Sequence, residues 1–121
     1  MTELTSTFTP REIAGQAANA IRALNEVTNG GGELTSVADV RAIVTSLELI
    51  GQGLPQLCEQ LARFIVIQHE DGQVAELDGH DTGTCVTEVV EALAAAGQAA
   101  DMMTAAMTEA RAATASLDTP R

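Results

Sequence analysis

Residues 36–69 read SVADVRAIVTSLELIGQGLPQLCEQLARFIVIQH, and the spacing of their apolar residues decides the fold. A first row follows alternating steps of three and four residues, typical of the a and d positions of a heptad repeat. It consists of Val37, Val40, Val44, Leu47, Gly51, Leu54, Cys58, Leu61, Ile65 and Gln68. A second row, at the g positions, consists of Ile43, Ile50, Leu57 and Phe64. Neither row carries a charge, so the pattern predicts a long amphipathic helix.

The segment Gly51-Gln52-Gly53-Leu54-Pro55 interrupts this pattern with residues that disfavour helices. Two interior glycines and one proline cost about 5 kcal/mol relative to alanine. Two short helices joined by a turn would account for this composition. The heptad phase nevertheless continues across the segment, which a chain reversal has no reason to preserve. The sequence therefore favours one helix over 36–69, kinked near 51–55 because Pro55 deprives the Gly51 carbonyl of its partner. A turn at Pro55 stays open as the alternative.

Two further helices are predicted on either side of this one. The first begins at Thr9-Pro10-Arg11-Glu12, which has the residues of a capping box, and ends before Gly30, giving about residues 10–28. The last covers about residues 84–117 and repeats the heptad pattern. Its g positions are all alanine: Ala92, Ala99, Ala106 and Ala113.

These patterns predict an all-α fold in a single domain over residues 1–121, with three long helices, or four if Pro55 marks a turn. The two longest helices have similar lengths and are joined by the polar segment 70–83. We therefore expect an elongated antiparallel helical hairpin with the first helix along part of it. The bulky g row of one long helix is expected to face the alanine g row of the other, because small residues permit close approach.

Composition narrows the classes of function. The chain has 121 residues, with 17 acidic and 6 basic ones, for a net charge of -11. That charge repels phosphates, and Trp and Tyr are absent, so nucleic acid is not an expected partner. No apolar run is long enough for a membrane span, and the first residues lack the pattern of a signal peptide. Two cysteines do not indicate a disulfide scaffold. We expect a cytoplasmic protein.

The segment 69–81 is the place to look for a metal site, since it holds five carboxylates and both histidines. The weak candidate ligands are His69, Asp78, His80 and Asp81. Residues 78–83 resemble the start of an EF-hand loop, but the twelfth position is Val89, where a bidentate carboxylate is needed. The sequence favours a solvated acidic loop with no metal. No cofactor and no catalytic residue are predicted.

Several apolar or small residues of the long helices are candidates for an interface with a partner. They are Leu49, Val66, Ile67, Ala99, Met102, Ala106 and Ala113. Those of the middle helix form a second stripe outside the main rows, which could receive the first helix or a second copy of the chain.

Three segments, Leu34-Thr35-Ser36-Val37-Ala38-Asp39-Val40, Leu54-Pro55-Gln56 and Glu59-Gln60-Leu61-Ala62-Arg63, resemble uncharacterised small all-helical proteins of actinobacteria. The resemblance covers about residues 34–63 and implies a helical fold without transferring any functional residue. The chain also looks superficially like the small helical-hairpin secretion substrates of those bacteria, but it lacks their Trp-x-Gly turn.

The leading hypothesis is a non-enzymatic assembly or adaptor protein that binds through its long helices, as a homodimer. One alternative is an acidic decoy or inhibitor of a basic nucleic-acid-binding partner, suggested by the net charge. Another is a cation-binding regulator that uses the 69–81 loop.

Overall fold

The computed structural model describes residues 7–31, 34–75 and 81–117, and these are almost entirely helical. The helices are α1 (Pro10–Thr28), α2 (Val37–Glu70) and α3 (Thr82–Thr114), with a short 3-10 turn at Asn29–Gly31. The described ranges contain no strand, which confirms the all-α class. The chain divides into two compact units at the Asp39–Val40 junction. The single-domain interpretation stays a prediction.

The first unit is built on α1, whose start follows the predicted capping box. The Thr9 hydroxyl accepts from the Glu12 amide at 3.2 Å, and the Glu12 carboxylate accepts from the Thr9 amide at 2.9 Å. These bonds lower the pKa of Glu12, the backbone bond having the largest effect. Gly30 ends the segment with φ of 74°, a conformation that favours glycine. No residue of α1 is buried.

The helix α2 is continuous from Val37 to Glu70 and contains Pro55. The alternative of two helices joined by a turn at Pro55 is therefore wrong. The proline packs against the opposite helix. A Cβ built on Gly97 of α3 would lie 3.5 Å from the Pro55 Cα, an ordinary van der Waals contact, so the two helices lie close together here.

The second unit pairs α2 with α3 in an antiparallel hairpin. Arg41 near the start of α2 contacts Thr114 at the end of α3, and Gly51 faces Thr104. Pro55 faces Gly97, while at the other end His69 lies beside Gly83. Residue numbers fall along α3 as they rise along α2, as the sequence predicted.

Helix-ending and helix-starting residues define the two ends of the connection. Gly72, with φ of 71°, completes a Schellman motif in which the Gln73 amide donates to the Gln68 carbonyl at 2.8 Å and the Gly72 amide donates to that of His69 at 3.1 Å. Asp81 then caps α3 by accepting from the amide and hydroxyl of Thr84, both at 2.9 Å. Those bonds, the side-chain bond foremost, lower the pKa of Asp81.

The heptad positions at the contact between α2 and α3 differ from those expected for a/d packing. The contacts across it use a positions, such as Gly51 and Cys58, together with e positions, such as Glu48 and Pro55. Leu57 and Phe64 of the g row are exposed, by 46% and 59%, and the alanines of the other g row are exposed too. The prediction that the two g rows face each other within the hairpin is wrong, because the helices approach closely on their glycine-bearing side.

The hairpin buries little apolar surface. Among the described residues Ala100 is the one hydrophobic residue that is buried, and no side chain is fully enclosed. In the described ranges, none of the helices combines the length and apolar character needed to cross a bilayer.

Candidate interaction surface

A polar cluster joins α2 and α3 at the end of the hairpin away from the connection. Its centre is Glu48, which is 7% exposed. The Glu48 carboxylate accepts from Arg111 Nε at 2.7 Å and Nη2 at 3.1 Å, and from the Thr108 hydroxyl at 2.6 Å. A buried carboxylate needs such partners, and the two-pronged geometry fixes where Arg111 must sit. The cluster therefore sets the register between the helices.

Electrostatics of the cluster favour the charged forms of both partners. Hydrogen bonds from Arg111 and then from Thr108 hold the pKa of Glu48 below its ordinary value, against the opposing effect of desolvation. The same contact with Glu48 raises the pKa of Arg111. Glu48 and Arg111 therefore both stay ionised at neutral pH.

Arg41 extends the cluster to the end of α3. Its Nη2 donates to the Thr114 carbonyl at 2.6 Å, and its Nε donates to the Thr114 hydroxyl at 3.2 Å. The Thr114 hydroxyl in turn donates to the Arg111 carbonyl at 2.6 Å. The Thr114 carbonyl also accepts from the Leu117 amide at 3.1 Å, and a cation at this position complements the partial negative charge at the end of a helix. These contacts make the cluster a structural clasp.

A large apolar surface lies beside the hairpin contact, at the d and g positions of both helices. We call it the uncharged face. From α2 it comprises Val40, Ile43, Leu47, Ile50, Leu54, Leu57, Leu61 and Phe64, and from α3 Cys85, Val89, Ala92, Ala96, Ala99, Met103, Ala106, Ala110 and Ala113. Between residues 42 and 58 the only charged residue is Glu48, which is buried. A chain of net charge -11 thus keeps a face without charge.

The α2 and α3 parts of this face lie on the same side of the hairpin. With seven residues in two turns, about 103° per residue, the d and g positions of each helix are about 80° and 130° from its contact line, in the same rotational sense. In an antiparallel pair, that rotation leads to the same side from both helices. A groove of about 170 Å³ near the connection agrees, because Ile65 of α2 lines it together with Cys85 and Val89 of α3.

Several acidic residues of the hairpin lie on the opposite side, which we call the acidic face. Its members are Glu59 of α2 and Glu88, Glu91 and Asp101 of α3, all exposed, and Glu59 pairs with the exposed Arg63 at 3.0 Å. A groove of about 350 Å³ has both Glu59 and Asp101 in its walls. A groove of about 790 Å³ near the connection is lined by Glu88, Glu91 and Asp81.

The predicted interface residues are distributed over several directions. Ala99, Ala106 and Ala113 belong to the uncharged face. Leu49, Ile67 and Met102 are exposed, by 62%, 45% and 74%, but lie outside it. Val66 is half-buried and lines the groove that holds His69 and Glu88. Cys58 faces Gly97 across the hairpin, and it is not joined to Cys85 in a disulfide.

The structure brings together two of the four weak metal candidates. The electrostatic effect of His69 contributes to the lowered pKa of Asp81, and both residues line the groove near the connection. Asp78 and His80 lie outside the described residues. Within the described ranges, no three His, Cys, Asp or Glu side chains converge as metal ligands would.

The heptad rows do not predict the polar cluster, because Glu48 falls outside the a, d and g positions. One signal was available: Arg41 and Glu48 are seven residues apart in a stretch that is otherwise uncharged from 40 to 58. Charges at a heptad spacing within an apolar helix indicate a polar partner on another element.

Comparison with known proteins gives no information on function, so the function is argued from the surface. No protein family, no curated protein and no solved structure matches the chain. The resemblance to small actinobacterial proteins stays a prediction.

Proposed function

We propose that this chain is a non-enzymatic assembly or adaptor protein that acts through protein–protein contacts along its helical hairpin. The observation that supports this function is the uncharged face. Large exposed apolar surfaces on one side of a molecule mark interaction sites, because leaving them in water is unfavourable. Ile50, Leu57, Leu61 and Phe64, each 46–59% exposed, are its most prominent side chains.

Several polar side chains of the described hairpin have structural roles. Glu48 and Arg111 are engaged with each other, and Asp81 is engaged as a helix cap. The cavities are open grooves between the two helices, and the one hydroxyl–carboxylate pair described on their walls, Thr84 with Asp81, forms the cap of α3. These features favour a binding role over catalysis.

Photo-crosslinking in the cells that produce the chain tests the proposal. Benzoylphenylalanine replaces Phe64 on the uncharged face in one variant and Gln52, an exposed residue on another side of α2, in the other. We expect protein adducts from position 64 and far fewer from position 52. Equal adduct yields at the two positions, or none at position 64, would contradict the proposal.

The acidic face favours a second candidate function, that of a decoy for a basic nucleic-acid-binding protein. Four exposed carboxylates on one side, of which only Glu59 is paired with a described cation, Arg63, give a field that attracts cations. An arginine-rich peptide is a suitable probe. Its affinity should fall steeply as salt rises, and should fall at fixed salt when Glu88 and Glu91 are replaced by Gln. An affinity that changes neither with salt nor with the replacement of Glu88 and Glu91 would contradict this function.

A further inference from the structure

We infer that the occupant of the uncharged face is a second copy of this chain. In the arrangement that we propose, α2 of each copy lies against α3 of the other around a two-fold axis parallel to the helices. This inference rests on the proposed function and names its partner. It follows from the level at which residues stand along the hairpin, from charge and from area.

The contacts within the hairpin define which residues stand at the same level. Arg41 is level with Thr114 and Gly51 with Thr104, while Gly97 lies between the levels of Pro55 and Cys58. From each such pair, the residue one position earlier in α2 and the residue two positions later in α3 differ in level by only about 1.5 Å. Each bulky g residue is therefore level with an alanine of α3. The pairs are Ile43 with Ala113, Ile50 with Ala106, Leu57 with Ala99 and Phe64 with Ala92.

Within one chain these pairs point to the same side and do not meet. A two-fold axis parallel to the helices keeps every level and sets α2 of one copy over α3 of the other. Leu57 of one copy then meets Ala99 of the second, and Phe64 meets Ala92. Bulky residues pack against small ones at four successive heptads, which allows close approach without voids. The result is a four-helix bundle whose neighbouring helices are antiparallel.

A two-fold axis across the helices would not give this match. It would place α2 over α2, with Leu57 and Phe64 against bulky residues of the other copy, and would leave alanine rows facing each other. The alternation of bulky and small rows at matching levels therefore selects the first arrangement.

Charge also favours a second copy as the occupant. The acidic faces of two copies would point outward, away from the contact, so Glu88 and Glu91 do not approach their counterparts. A basic partner would gain nothing from a face without carboxylates. The electrostatic opposition to association is long-range repulsion between two chains of charge -11, and salt screens that repulsion. Dimerisation should therefore strengthen as salt increases.

The size of the face suits a dimer. The rows from residue 43 to residue 64 extend for about 32 Å, and a pair of packed helices is about 20 Å wide. Each copy would cover about 600 Å², or about 1,200 Å² in total, which reaches the lower limit of specific interfaces.

Disulfide trapping between separately prepared chains tests the arrangement. Both natural cysteines are replaced (Cys58→Ala, Cys85→Ala), and one preparation carries Leu57→Cys and the other Ala99→Cys. Mixing and mild oxidation should give the mixed two-chain product in excess over either same-chain product. The matched control mixes Leu57→Cys with Ala113→Cys, two heptads or about 21 Å away, and should give little product. Circular dichroism confirms that each variant is folded.

Light scattering of the unmodified chain provides the second measurement. We expect the mass of two chains at micromolar concentration, with at least a several-fold stronger association at 0.5 M salt than at 0.05 M. A single-chain mass at 100 µM overturns the inference, as does a Leu57–Leu57 crosslink that exceeds the mixed one. If position 64 still captures a different protein in cells, the proposed function stands and only the second copy is excluded.

Discussion

A tight contact between the two long helices, at Gly51, gives a prediction that can be worked through in numbers. A Cβ at this position would overlap the Thr104 hydroxyl, would reach the Met103 terminal methyl at 3.0 Å and would lie 3.4 Å from the Thr104 Cβ. Gly53, two residues later, has nothing within 4 Å of a Cβ. Both glycines are inside the continuous helix α2. The pair therefore separates helix propensity from packing.

Gly53→Ala should stabilise the hairpin by about 0.5–1 kcal/mol, the usual difference between the two residues inside a helix. Gly51→Ala gains the same propensity but overpacks the contact, which costs about 1–3 kcal/mol. Rotating Thr104 away offers little relief, since its hydroxyl donates to the Ala100 carbonyl at 2.9 Å. We expect Gly51→Ala to be less stable than Gly53→Ala by about 1–3 kcal/mol.

Urea unfolding at one fixed protein concentration measures these differences through the midpoint and slope. The double variant Gly51→Ala/Thr104→Ala removes the overlapping hydroxyl. Its stability should exceed the sum of the single effects by about 1–2 kcal/mol, a coupling expected only for residues in contact. If Gly51→Ala is as stable as Gly53→Ala, or if the coupling is absent, the helices do not approach at this position and the register described above is wrong.

Four further predictions concern the clasp, the caps and the linkage of stability to association. Hydrogen bonds from Arg111 and Thr108 lower the folded pKa of Glu48 from its ordinary value of 4.5. The stabilisation by the charged carboxylate is therefore present above that value and is lost as pH falls through the folded pKa. Between about pH 6 and pH 3, the urea midpoint of Glu48→Gln should fall by less than that of the unmodified chain. Asp81→Ala should lower the unfolding midpoint by removing the cap of α3, whereas Asp81→Asn, which keeps an acceptor oxygen, should retain most of it. Gly97→Ala should be neutral or stabilising by up to about 1 kcal/mol, since its Cβ would make ordinary contacts, and a loss of more than about 1 kcal/mol in urea unfolding would contradict that expectation. The melting temperature should rise with protein concentration, because association stabilises the folded state, and Leu57→Glu should abolish the rise.

The sequence predicted most of the helical architecture because helix formation is a local matter. The heptad phase across Pro55 correctly indicated one helix, and the residues from Thr9 to Glu12 correctly indicated the start of α1. The same rows could not determine which side of α2 contacts α3, because the a and d residues and the a and e residues both form continuous stripes. That choice depended on Gly51, Gly97 and Glu48, whose effect appears only when the opposite helix is in place.

For the candidate surface too, the composition of each helix could be predicted from the sequence, but the relative position of the two helices could not. The absence of charge at the g positions of α2 and the alanines of α3 could be identified in the sequence, and both belong to the uncharged face. Their mutual position could not, since the expected contact within one chain required a different rotation of each helix. Residues 76–80 lie outside the described ranges, so the cation-binding hypothesis for the 69–81 loop stays a prediction.

The contact between α2 and α3 uses residues other than those of the uncharged face, which explains why the hairpin leaves its largest side chains exposed. Glycines and a bidentate ion pair make a narrow contact that fixes register, but they bury little apolar surface and so contribute little hydrophobic stabilisation. Burying the exposed halves of Ile50, Leu57, Leu61 and Phe64 would contribute about 1 kcal/mol for each side chain. The apolar surface that would stabilise the fold most is thus the surface available to a partner. Folding and association of this hairpin are then expected to be coupled, with the polar clasp holding the two helices in the register that presents the uncharged face.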